Sequence, residues 1–169
     1  PQRHNVYQHS IKNLLHGLES NGVQVIVVSN AELNEELTDL FRKYQASVIL
    51  RKNQGRDFGA YQSGLLWLRD QGHLAQVKRL LFINDTLIWL KSSSEVVKET
   101  CEHDWQSIYL NLERNVHAHS FYLSFSERIV QSQRFLDFWD DYLPQDSRNH
   151  AIHNGENHLS NTLIAEGFS

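Results

Sequence analysis

A chain of 169 residues, 40% hydrophobic and 21% charged, carries enough apolar mass for one domain with a sizeable core. Its formal net charge of −4, with ten histidines besides, excludes a dedicated nucleic-acid surface, which needs a basic stripe. A single cysteine, Cys101, excludes an intramolecular disulfide and a multi-cysteine zinc site, and no apolar run approaches the ~20 residues that span a bilayer.

The chain starts at Pro1-Gln2, contains no methionine and shows no signal peptide, so it reads as a single domain over residues 1–169 taken from something longer. His4 to Val6 reads as the tail of a strand begun upstream. Ile11, Leu14, Leu15 and Leu18 recur at helical spacing between Tyr7 and Ser20, and Asn21-Gly22 ends that helix. Val23 to Ser29 is a continuous β-branched run of the kind buried on both faces of a parallel sheet. A helix over Glu32 to Tyr44 and a strand over Ala46 to Leu50 follow. A polar glycine loop, Arg51 to Gly59, then leads into a helix over Tyr61 to Asp70.

Arg79 to Ile83 reads as the third strand, stopping at Asn84-Asp85-Thr86. Leu87 to Leu90 fits a short strand or loop, and Ser92 to Cys101 a helix capped by Ser93 or Ser94. Ser107 to Leu112 and Ser120 to Phe125 alternate like strands, with the polar block Glu113 to His119 between them; they suit a hairpin, or the second suits the main sheet. Glu127 to Tyr142 is helical and ended by Pro144, and a last helix runs to Ala165 or Glu166 and is closed by Gly167. This alternation predicts an α/β domain with right-handed crossovers. Trp67, Phe135, Phe138 and Trp139, at helical spacing, are expected in its core. Trp89 and Trp105 fit either a buried place or a stacking platform for a sugar.

Ligands of open α/β sheets sit outside the carboxyl ends of the strands. If the strands ending at Val28, Leu50 and Ile83 are parallel, Ser29-Asn30, Arg51 to Gly59 and Asn84 to Thr86 surround one crevice. The glycine loop is neither a dinucleotide fingerprint nor a Walker loop, yet Arg56-Asp57 between Gly55 and Gly59 is a layout that brings backbone N–H groups and a helix N-terminus to a phosphorylated ligand. Asp85 after its apolar strand suits either an Asx turn or a cation on a diphosphate. Glu156 suits either a helix cap or a general base. His117 and His119, two apart, would point both rings to one side of a strand, but no third ligand is fixed by spacing, nor by His150, His153 or His158. Nucleophilic catalysis has little support: no G-x-S-x-G occurs, and Cys101 lacks a base.

The stretch Arg51-Lys-Asn53-Gln-Gly55-Arg56-Asp57-Phe58-Gly59-Ala60-Tyr61-Gln-Ser-Gly64-Leu65 resembles the signature of the rhamnan synthesis protein F-like family of polysaccharide glycosyltransferases. Val27-Val28-Ser29-Asn30, Asn84-Asp85-Thr86, His117-Ala-His119-Ser120-Phe-Tyr122 and Glu156-Asn-His-Leu159-Ser160 match its other stretches in the same order, covering nearly the whole chain. More distantly, the layout is similar to GT-A fold glycosyltransferases. The resemblance implies a GT-A-like (Rossmann-like), mostly parallel sheet flanked by helices. It implies a nucleotide-diphosphate sugar contacted by Asn53, Arg56 and Asp57, Mg²⁺ or Mn²⁺ on Asp85, and Asp85 and Glu156 as catalytic groups; Ser29, Asn30, Gly55 and Asn84, from the crevice at the strand ends, complete the expected donor site. The implied reaction is inverting transfer of a sugar, rhamnose by the family's name, to a bacterial cell-surface glycan acceptor. The implied location is cytoplasmic, at the inner face of the membrane, with any peripheral association made through regions outside this chain. The motif N-D-T departs from the acidic pair of GT-A enzymes by having one carboxylate, which makes a weaker cation site. Other classes fit the same residues: a non-catalytic sugar-nucleotide or glycan binding module, a metal-dependent hydrolase working through Asp85, or a scaffolding relic of the fold.

Overall fold

The computed structural model describes residues 2–99, 103–112 and 116–169. In chain order its elements begin α1 (Gln2–Glu19), β1 (Ile26–Ser29), α2 (Glu35–Lys43), β2 (Ser47–Leu50), α3 (Arg56–Asp70) and a 3₁₀ turn (Leu74–Gln76). They continue β3 (Arg79–Ile83), α4 (Ser94–Glu99), β4 (Trp105–Ser107), β5 (Leu110–Asn111), β6 (His117–Ala118) and β7 (Tyr122–Ser126). The last are α5 (Glu127–Val130), α6 (Gln133–Asp141), α7 (Arg148–His150), a π-helical turn (Ala151–Asn157) and α8 (His158–Ala165). The chain divides into two units, one of Pro1–Lys52 with Asp85–Glu99, the other of Asn53–Asn84 with Thr100–Ser169.

The first unit holds one β-α-β crossover. β1 and β2 run parallel, Ile26 opposite Ser47 and Ser29 opposite Leu50, with α2 joining them. The start of α2 is set by Asn34, whose side chain accepts the Leu37 N–H at 2.9 Å. Glu35 and Glu36 in its first turn and Arg42 and Lys43 in its last both complement the helix dipole. The strand expected at His4 to Val6 is instead part of α1, whose helical period simply continues upstream. Ser93 is fully buried; its hydroxyl donates to the Leu14 carbonyl at 3.1 Å, which fastens the segment before α4 to α1. The helix expected from Ser92 to Cys101 starts at Ser94 and is described to Glu99; Thr100 and Cys101 lie outside the described residues, as do Glu113 to Asn115 of the polar block.

The second unit is built on an antiparallel sheet in the order β3-β7-β4. Arg79 faces Ser126 and Ile83 faces Tyr122 across one side of β7, while Trp105 faces Phe125 across the other. A further antiparallel pair, β5 and β6, sets Leu110 opposite Ala118. Aromatic packing fills the interior: Phe82 stacks on Tyr61 with centroids 4.5 Å apart and meets Trp139 edge-on at 5.2 Å. Phe125, Phe135 and Trp139 are fully buried. Each such ring removed from water contributes about 1.5–3 kcal/mol, so this core carries the unit. Phe135, Phe138 and Trp139 lie where their helical spacing put them; Trp67 is only half-buried.

The expected GT-A-like, mostly parallel sheet is therefore overturned. Among the described residues the only parallel pairing is β1 with β2; β3 pairs antiparallel with β7 and belongs to another sheet. The physical reason lies in the burial of these strands. In β3 only Leu80 and Phe82 are buried, every second residue, as in a strand covered on one face. A short apolar run does not distinguish parallel from antiparallel neighbours. Nor is the first strand buried on both faces: all four β1 residues are partly accessible, and Val48 and Leu50 of β2 are 41% and 58% exposed.

Two expected elements are broken by serines. Ser107 to Leu112 is two strands in two sheets, because the Ser107 hydroxyl accepts the Tyr109 N–H at 3.3 Å and donates to the Tyr109 carbonyl at 3.0 Å, turning the backbone between them. Glu127 to Tyr142 is two helices, α6 starting anew where the Ser132 hydroxyl accepts the Phe135 N–H at 3.3 Å. Of the expected strand Ser107 to Leu112, only Ser107 pairs with β7, opposite Leu123, while Leu110 and Asn111 pair with β6.

Candidate functional site

The glycine loop enters its helix through left-handed backbone. Gly55 has φ 78° and is buried; its N–H donates to Asp146 Oδ1 at 2.7 Å, and an added Cβ would stand 2.3 Å from Cβ of Pro144. Only glycine meets both demands. Arg56 follows at φ 52°, a conformation that costs an L-residue about 1–2 kcal/mol. This double turn starts α3 at Arg56, earlier than the helical period predicts, and sets Asp57 in its first turn, where the helix dipole favours a carboxylate.

Asp57 is then met by the residue just after β3 and by the turn before β7. The Asn84 side-chain amide donates to Asp57 Oδ2 at 2.9 Å, and the Ser120 hydroxyl donates to the same oxygen at 3.3 Å. Asn84 is held in place by its backbone N–H, which donates to the Phe121 carbonyl at 3.2 Å. The charge of Asp57 also acts on Tyr142, whose phenol is pushed up to about 12, first by burial and then by that carboxylate.

Glu156 lies on the other side of Ser120. It sits in the π-helical turn, its side chain only 7% exposed, and Oε1 accepts the Ser120 backbone N–H at 2.8 Å. His119 Nδ1 stands 3.6 Å from Oε1, and His117 Nε2 stands 3.7 Å from Oε2. Oε2 is buried without a hydrogen-bond partner. The helix-cap reading of Glu156 thus fails: its carboxylate serves the turn between β6 and β7, 36 residues away, not its own helix. Ser120 joins the two carboxylates, through its hydroxyl to Asp57 and through its N–H to Glu156. The result is a half-buried acid on a helix start and a buried acid flanked by imidazoles, an arrangement suited to moving a proton and to holding a polar ligand.

Of the residues singled out in the sequence, Asp57, Asn84 and Glu156 meet in this cluster through Ser120 and Asp57, and Gly55 turns the backbone two residues before Asp57. Asn53 and Arg56 are exposed on the turn leading into it. Ser29, Asn30 and Asp85 belong to the other unit. There the Ser29 hydroxyl is taken up locally, donating to the Ala31 carbonyl at 2.6 Å, and Asn30 is exposed. Asp85 is exposed and accepts the Tyr7 hydroxyl; burial and that carboxylate raise the Tyr7 phenol well above its ordinary value. The premise that β3 runs parallel with β1 and β2 in one sheet fails: β3 lies in another sheet and pairs antiparallel with β7.

The Mg²⁺ or Mn²⁺ implied by the resemblance would rest on Asp85 as its one carboxylate. Among the described residues no three His, Cys, Asp or Glu side chains are placed to hold a metal ion, His117 and His119 included. Asp85 is a single carboxylate already accepting a hydrogen bond. The bridging role of Ser120 carried no signal of its own in the sequence, since a serine just before a strand is commonplace. The pair His117 and His119 did: spaced two apart, both rings reach one carboxylate.

Comparison with known proteins matches residues 25–169 to a family model described as rhamnan synthesis protein F. That span includes every residue of the cluster. The chain is also similar to an uncharacterized protein, y4gN, of Sinorhizobium fredii (strain NBRC 101917 / NGR234), being 28% identical over 162 residues, which are 91% of this chain and 42% of that protein. It thus spans less than half the length of this relative. No solved structure matches the chain. No helix among the described residues is long and apolar enough to cross a membrane.

Proposed function

The chain belongs to the rhamnan synthesis protein F family, and from that premise we propose that it moves a sugar from a nucleotide-diphosphate donor to a growing bacterial polysaccharide. The observation that carries this reading is the pair of carboxylates tied through Ser120: Asp57 on the helix start and Glu156 buried behind it. Transfer to a hydroxyl needs charge stabilised on the leaving diphosphate and a proton drawn off the acceptor, and the two ends of this cluster suit those tasks.

At the first end stands Arg56, exposed on the opening turn of α3. A guanidinium beside a helix N-terminus offsets negative charge developing on the diphosphate. Asn53 and the loop backbone line the same approach, and Asp57 with Asn84 offers polar groups to the nucleotide sugar. At the second end, Glu156 supplies the negative charge that draws the acceptor proton away, and direct attack by that hydroxyl inverts the anomeric carbon. No step is assigned to a cation.

Transfer and donor binding measured side by side test this. With a panel of nucleotide sugars and a rhamnan oligosaccharide acceptor, Glu156→Gln should retain donor binding while transfer falls about 10²–10⁴-fold. Transfer at the wild-type rate in that variant would remove Glu156 from the reaction. A wild-type protein that binds donor, seen as a raised melting temperature, and never turns it over would be a binding module instead.

A further inference from the structure

We propose that the group touching the acceptor hydroxyl is His119, with Glu156 as the carboxylate that positions it. This rests on the transferase reading.

Glu156 and the two histidines beside it differ in access. The side chains of Glu156 and His117 are 7% and 8% exposed, whereas His119 is 21% exposed. Glu156 Oε1 is engaged by the Ser120 N–H, and Oε2 is buried facing His117. A sugar hydroxyl arriving from solvent therefore meets His119 first.

The ring of His119 is also held for the task. Nδ1 faces Glu156 Oε1 at 3.6 Å, which leaves Nε2 on the far side of the ring from the carboxylate. Phe121 stacks on the imidazole with centroids 5.2 Å apart and planes 12° from parallel. Tyr109 packs edge-on at 4.8 Å, and the His119 backbone N–H donates to the Tyr109 carbonyl at 3.0 Å. The other neighbour is His117, its ring 5.5 Å away. A carboxylate beside Nδ1 favours the tautomer with hydrogen on that nitrogen and a lone pair on Nε2. The distance of 3.6 Å is longer than a hydrogen bond, and catalytic hydrogen bonds commonly tighten only once substrate is bound.

The step balances as follows. The acceptor O–H bond breaks and its proton goes to Nε2. The freed oxygen bonds to the anomeric carbon as the bond from that carbon to the diphosphate oxygen breaks, its electron pair leaving with the diphosphate. The imidazolium so formed faces Glu156, which stays ionised and takes no proton.

The test compares wild type, His119→Ala, His119→Gln and Glu156→Gln for donor binding and for transfer, with and without added imidazole. His119→Ala and His119→Gln should bind donor normally and lose transfer about 10²–10⁴-fold. Imidazole should restore part of the rate to His119→Ala, where a ring-sized space is open, and none to Glu156→Gln, which keeps its histidine. If either folded His119 variant transfers at the wild-type rate, or if imidazole leaves His119→Ala silent, the assignment is wrong while the transferase reading stands. If wild type itself transfers nothing, the transferase reading falls, and this assignment with it.

Discussion

The Ser120 backbone N–H donates to Glu156 Oε1 at 2.8 Å, and its hydroxyl reaches Asp57 Oδ2 at 3.3 Å, so one residue couples two carboxylates contributed from 99 positions apart. The two bonds are separable by substitution. Ser120→Ala removes the hydroxyl and keeps the N–H, leaving the bond to Glu156 Oε1 intact and Asp57 with the Asn84 amide. The expected cost is about 0.5–1.5 kcal/mol of stability, read by urea unfolding. Donor affinity should weaken with it, because Asp57 loses one of the groups that orient it.

Gly155 lies against the ring of Phe58, where an added Cβ would stand 2.7–2.9 Å from the ring carbons. Phe58 cannot yield, since its own ring packs on Trp139 at 5.6 Å and on Tyr142 at 5.5 Å. The close approach is what lets the π-helical turn carry the neighbouring Glu156 into the interior. Gly155→Ala should therefore destabilise by about 1–3 kcal/mol through overpacking. It should also lower transfer more than donor binding, because it displaces Glu156 rather than Asp57. Thermal melts paired with transfer assays check both parts.

Much of this cluster was legible one segment at a time. The glycine loop, the polar end of β3 and the late carboxylate each stood out, because polar residues at element ends need a reason to be there. What joined them was not legible. The rim expected around Asp85, Ser29 and Asn30 rested on β3 running with β1 and β2, and a five-residue apolar run carries no direction. Burial settles it: with only Leu80 and Phe82 of β3 inside, the strand is covered on one face and pairs antiparallel with β7. That pairing is what brings Asn84 beside Phe121 and Ser120. The serine breaks at Ser107 and Ser132 were missed for a related reason, since a hydroxyl bonded to nearby backbone interrupts an apolar period without altering it.

Arg56 holds φ 52° without being glycine, and its side chain is exposed. A strained non-glycine residue beside a polar cluster is retained for its side chain or not at all. Arg56→Gly relieves the backbone while adding freedom to the unfolded chain, so stability should hold or rise by up to about 1 kcal/mol. Donor turnover should fall, because the charge that offsets the diphosphate is gone. A variant at least as stable as wild type yet slower is the expected outcome; unchanged turnover would detach Arg56 from the donor.

Tyr142 provides a pH test of how Asp57 is placed. Burial, then the Asp57 charge, push its phenol up to about 12, while an unfolded chain gives a tyrosine an ordinary value of about 10. The folded state thus holds this proton more tightly than the unfolded state does. Its contribution to stability is complete below pH ~10 and is lost as pH rises from there through about 12. The Tyr142 hydroxyl is buried with no hydrogen-bond partner, so Tyr142→Phe should cost little at neutral pH and should flatten the decline in unfolding free energy at alkaline pH. Asp57→Asn should shift the phenol only part of the way down, because the larger cause, burial, remains. Ultraviolet titration of phenolate in the three proteins separates these effects: a Tyr142 signal that returns fully to the ordinary range in Asp57→Asn would make the carboxylate, not burial, the dominant influence.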